Sequence, residues 1–168
     1  MKTKRIILHK DQLLYDIEAI AFKTADALGL EGKQKNVVSA NHEKTLDGRI
    51  LARYMDLRDA RLRRRLRFCL ACLTQDVACD NPSERKEYIY DLNLSSQFDD
   101  NMLEVVKTDM HDYVVKGTLY DWYRSLGSQS AISDAELREI EGGIVPVLRT
   151  PSYLKAPLQP FGPAKKIV

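Results

Sequence analysis

Histidine and cysteine are scarce in this chain, three of each in 168 residues. Three cysteines, an odd number, do not make the paired framework of a small disulfide-stapled fold, and they fit a reducing compartment. No stretch of about 18 apolar residues occurs, so no membrane span is expected. The opening MKTKRIILHKDQ is basic and only briefly apolar. It lacks the apolar core and small-residue cleavage site of a secretory signal, so the protein is expected to stay in the compartment where it is made. A formal net charge of only +2 rules out a polycation that binds acidic partners by bulk charge alone. Glycine-rich phosphate loops, a G-x-S-x-G elbow, H-E-x-x-H and a dinucleotide fingerprint are all missing from the sequence. Neither an enzyme, nor a cofactor, nor a small-molecule substrate is therefore expected.

What is present is a folding composition. Hydrophobic residues make up 44% and charged residues 30%, enough to build a core and keep its surface wet. The length fits one domain. The stretch with most information runs from Asp99 to Leu126 and reads as one long helix, capped by Asp99 or Asp100 and stopped at Gly127. It carries two apolar faces. Leu103, Val106, Met110, Tyr113, Gly117 and Tyr120 share one stripe, while Val115, Leu119, Trp122 and Leu126 lie nearly opposite. The second half must be covered on both sides, by its own domain or by a partner. Gly117 in mid-helix is read as a close approach of another backbone.

Other elements follow from the same patterns. Lys2–His9 reads as a basic tail, with a strand or an arm as the other readings. Asp11–Leu28 is a helix with Leu14, Ile17, Ala21, Ala25 and Leu28 on one face. Thr45–Leu73 is a second long helix with a stripe of Leu51, Met55, Leu62, Leu66, Cys69 and Leu73. Glu87–Leu94 alternates as a strand, with Tyr88, Tyr90, Leu92 and Leu94 on one side; it needs Arg5–Leu8, or a neighbouring subunit, to pair with. Ser133 opens a capping box with Glu136 and a short helix to about Glu141, which Gly142-Gly143 is expected to break. The fold class is mainly α: a bundle of three to four helices with a short β segment. Residues 1–149 form the helical domain with the strand near 87–94. Residues 150–168, rich in proline, form an extended C-terminal arm whose Tyr153, Leu154, Leu158 and Phe161 would lie along a neighbour or along the domain itself.

Three constellations could carry chemistry. Eight arginines lie between Arg49 and Arg67, facing only Asp47, Asp56 and Asp59. The densest part is Arg58, Arg61, Arg63, Arg64, Arg65 and Arg67. Such a face is read as solvated with its stems over the core, or as a contact for an acidic protein surface, or as a contact for nucleic-acid phosphates. Aromatic residues are not interleaved with these arginines, which counts against nucleic acid. Cys69-x-x-Cys72, with Cys79 further on, lies in the helical pattern and reads as core cysteine rather than a redox or zinc site. His111-Asp112 is the kind of pair that metal-dependent phosphohydrolases use together with further His and Asp ligands, and here the other histidines are only His9 and His42. A surface histidine beside Asp109 and Asp112 is the simpler reading.

The run Met110-His-Asp-Tyr-Val-Val-Lys-Gly-Thr-Leu-Tyr-Asp-Trp-Tyr123, after a tyrosine-rich strand and an acidic helix start, resembles the last helix of small, mostly helical head–tail connector or head-completion proteins of tailed bacteriophages and prophages. The likeness is one of layout over roughly residues 45–126 and carries no catalytic or binding residue with it. It implies a structural virion protein, assembled in the host cytoplasm, whose subunits form a ring between portal and tail. Partners would be further copies of itself and portal or tail proteins, with DNA contact possible through the arginine-rich helix. The residues expected to meet them are Arg58, Arg61, Arg63, Arg64, Arg65, Arg67, Trp122, Tyr153, Leu154, Leu158 and Phe161. The alternative is an arginine-rich accessory or regulatory protein that binds nucleic acid.

Overall fold

A computed structural model describes residues 1–27, 46–71, 85–125, 127 and 132–149. In chain order these form β1 (Lys2–His9), α1 (Lys10–Ala27), α2 (Leu46–Leu66), β2 (Glu87–Leu94), α3 (Asn101–Ser125) and α4 (Asp134–Arg149). The architecture is mainly helical with one two-stranded antiparallel sheet, as the patterning predicts. The segments 28–45, 72–84, 126, 128–131 and 150–168, Leu126 of the expected second stripe among them, lie outside the described residues. Among the expectations they carry are the Pro-rich arm and its four apolar residues, Cys72, Cys79 and His42.

The helix α3 is the axis. It packs against α1, α2, α4 and β1. Its first half buries a single stripe through Val106 and Met110. From Tyr113 onward it buries Tyr113, Val114, Val115, Gly117, Thr118, Leu119, Trp122 and Tyr123, which is cover on every side. Both apolar faces are therefore satisfied within the chain. Asp99 Oδ1 accepts the Asn101 N–H at 3.1 Å and caps the start. Gly127, at φ +69°, takes the left-handed position past the end.

The basic N-terminal segment is a strand and not a tail. Ile6 pairs with Tyr90 and Leu8 with Tyr88, so the inward faces of β1 and β2 meet in one apolar layer. Alternation then sends Arg5 and Asp91 outward, where the guanidinium donates to both carboxylate oxygens at 2.7 and 3.0 Å. Lys2 Nζ reaches the Phe98 carbonyl at 2.7 Å and the Asp100 carboxylate at 2.6 Å, and Lys4 reaches Asp100 at 3.0 Å. These contacts pin the strand beside the start of α3, which is why eight basic-apolar residues are ordered.

Two element boundaries differ from the pattern. The second helix ends at Leu66 and does not run to Leu73. Arg67–Cys69 turn, and the chain then lies on the free edge of β2, with Ala71 N–H donating to Asp91 O (2.8 Å) and Asn93 N–H to Cys69 O (2.6 Å). Cys69 is buried but sits in this turn, outside the helix. Burial pushes its thiol up to about 11, far from reactive thiolate chemistry. The last helix, conversely, does not break at Gly142-Gly143. It continues through both glycines and Pro146 to Arg149, because Leu137, Ile144 and Leu148 recur on one face and are buried. Packing outweighs about 1 kcal/mol of propensity lost at each glycine. Its start shows the Ser133 half of the expected capping box: the Glu136 N–H donates to Ser133 Oγ at 3.1 Å, while the Glu136 carboxylate accepts from Lys116 Nζ of α3 at 2.9 Å.

Candidate functional site: an arginine-walled groove

The arginines of α2 separate into two sets by direction. Arg58 turns inward and is 5% exposed. Its Nε and Nη2 donate to the two Asp121 oxygens at 2.8 and 2.7 Å, joining α2 to α3 as a bidentate fork. The stem of Arg58 crosses α3 at Gly117. A Cβ placed there would lie 2.6 Å from Arg58 Cδ and 2.7 Å from Nε. The mid-helix glycine is thus explained by a side chain, and not by the second backbone that the sequence led us to expect.

Arg63 is also buried. Its Nε donates to both Asp59 oxygens at 3.0 and 2.9 Å, its Nη2 donates to the Ile89 carbonyl at 2.9 Å, and its guanidinium stands 4.5 Å from the Tyr90 ring centre. Tyr90 Oη donates to Asp59 Oδ1 at 2.6 Å. Tyr88 Oη and Arg85 Nη1 both donate to Asp56, at 3.0 and 3.1 Å. Two aspartates one turn apart on α2 thereby receive two tyrosines one register step apart on β2. This network fixes the helix to the sheet. Burial, with Asp59 next, holds the Tyr90 hydroxyl well above its ordinary range, and burial likewise raises Asp56.

Three further arginines of α2, with Arg67 in the turn after it, face outward over α4. Arg61, Arg64, Arg65 and Arg67 are exposed and line an open groove of about 860 Å³ whose far wall is α4 and whose floor includes Tyr113. Arg65 pairs with Glu141 across the groove, and Arg149 closes over Phe68 with its guanidinium 4.5 Å from the ring centre. Arg138 pairs with Asp134 along α4 at 2.7 Å. Arg61 has only a 4.0 Å approach to Asp121, whose oxygens Arg58 already holds. Among the described residues, no carboxylate pairs with Arg64 or Arg67. Seven arginines and two carboxylates line the groove, so its field is strongly positive although the whole chain is nearly neutral.

The sequence-predicted contact residues thus fall in three places. Arg61, Arg64, Arg65 and Arg67 come together on the groove. Arg58, Arg63 and Trp122 are inside, Trp122 being 4% exposed. Tyr153, Leu154, Leu158 and Phe161 lie outside the described residues. Sequence reasoning missed Arg138 and Arg149. Their signal was present, since Asp134, Arg138, Glu141, Val145 and Arg149 recur at helical spacing, but it is visible only once the helix is carried through the glycine pair. His111 lies between α3 and α1, with Nε2 3.2 Å from Asp16 Oδ2 but off the hydrogen-bond direction. Among the described residues, no group of three or more His, Cys, Asp or Glu is placed to hold a metal ion. Compared with protein-family models, with curated proteins and with solved structures, the chain has no match.

Proposed function

We propose that this protein is a non-enzymatic assembly protein, a subunit of the head–tail connector type whose layout it resembles, and that it meets its partners through the outward arginines of α2. The observation that carries this reading is the division of labour among the arginines. Two are consumed in holding the fold, while Arg61, Arg64, Arg65 and Arg67 are gathered on one concave surface with more positive charge than the described residues neutralise. Arginine forks on a rigid helix recognise carboxylates or phosphates geometrically, and long-range attraction then speeds encounter. A ring of identical subunits would use two different surfaces per copy, and the groove would be one of them.

The central helix and β2 do not bear on this reading, because both find their cover inside the chain. It rests on the groove. The competing reading, nucleic-acid binding, draws on the same arginines. Light scattering with and without DNA separates the two. The assembly reading expects a multimer whose mass DNA does not change. A monomer that takes up duplex DNA, with affinity falling steeply as salt rises, would replace it with the alternative.

A further inference from the structure

We infer that the groove between α2 and α4 takes an acidic segment of a partner protein, one that carries carboxylates and a neighbouring aliphatic side chain. The inference rests on the assembly reading and names the chemistry of its contact.

The groove already contains one example of its ligand. Glu141 sits on Arg65 from the opposite wall, so the geometry between the helices brings a carboxylate onto a guanidinium without any partner. Arg64 and Arg67 offer the same forks to solvent. An incoming carboxylate there extends a pairing the groove makes with itself. Val145, half-buried at the groove wall, provides an apolar surface beside the charges. An aliphatic side chain flanking the carboxylates would be dehydrated there, which adds to binding roughly in proportion to area. The α4 wall from Asp134 to Arg149 is about 22 Å long, room for about seven extended residues.

Single-stranded nucleic acid is the chemical rival, since phosphates also suit arginine forks. Such binding draws much of its strength from bases stacked on exposed aromatic rings. Tyr113 is 3% exposed and lies beneath Arg58, and Phe68, 40% exposed, has the Arg149 guanidinium over it. That leaves one half-covered ring, a poor platform for a run of stacked bases.

The test uses the full chain and two fluorescent probes of about a dozen units each, a peptide of glutamates with leucine at every fourth position and an oligothymidine. Fluorescence anisotropy at about 0.1 M salt is expected to show the peptide bound about tenfold more tightly than the oligonucleotide. The double variant R64E/R67E, altered at two exposed positions, is expected to lose about tenfold in peptide affinity while its thermal unfolding stays put. Tighter binding of the oligonucleotide overturns the inference together with the assembly reading. Peptide binding that the double variant leaves unchanged overturns the groove as the site. If wild type ignores both probes but forms a multimer that R64E/R67E does not form, assembly through these arginines stands and the acidic-segment inference falls.

Discussion

Six arginines within ten residues look alike in the sequence and do opposite things in the fold. Arg58 and Arg63 have surrendered their water to Asp121, Asp59 and a backbone carbonyl, so truncating either one leaves a buried charge without its partner. Such losses run to about 3–5 kcal/mol. Arg63→Ala should therefore lower stability by about 3 kcal/mol, whereas Arg64→Ala should change it by less than about 0.5 kcal/mol, both read by urea unfolding. Equal effects at the two positions would mean that direction does not sort these side chains. Glycines divide in the same way. Gly117→Ala forces Arg58 off its fork, and is expected to destabilise by about 1–3 kcal/mol despite the better helix propensity. Gly143 has nothing within 4 Å of a would-be Cβ, so Gly143→Ala should stabilise by about 1 kcal/mol and raise the melting temperature by about 3 °C. Neither distinction was legible in the sequence. Arg58 finds its partner 63 positions away, and nothing local marks Asp121 as that partner.

Elements were more legible than their ends. The alternation of β2 and the doubled stripe of α3 both appear as the sequence predicts, because each rests on a period that local chemistry and packing share. The errors arose where packing and local preference oppose each other. Gly142, Gly143 and Pro146 are all helix breakers, yet α4 runs through them on the strength of Ile144 and Leu148. The α2 pattern continues through Cys69, yet the chain leaves the helix at Leu66 to hydrogen-bond to β2. The contact of α2 with β2 also sets a pH dependence. Tyr88 and Tyr90 are raised above the ordinary tyrosine range, chiefly by burial, then by the Asp56 and Asp59 carboxylates. A group whose value is raised by folding contributes stability that is complete below its unfolded value and is lost as pH climbs past it. Stability measured by urea midpoint should therefore hold up to about pH 10 and fall above it, where unfolded tyrosine begins to ionise. Tyr88→Phe should flatten that fall. A variant with an unchanged alkaline limb would show that the coupling lies elsewhere.

For the molecule as a whole, the described fold covers from within what the sequence left open between its own domain and a partner. A central helix whose second half is covered on all sides and a strand paired with the N-terminal segment leave the arginine groove as a feature that the described fold does not account for. The candidate site was half visible in advance. Its α2 wall was plain as an arginine run, and its α4 wall was hidden behind the glycine pair. The most direct test is mass in solution by light scattering across concentration at moderate salt, for wild type and R64E/R67E, with and without DNA. The account predicts a multimer for wild type that DNA leaves unchanged, and a smaller species for the variant. A wild-type monomer at every concentration, or one whose mass rises only when DNA is added at low salt, would contradict it.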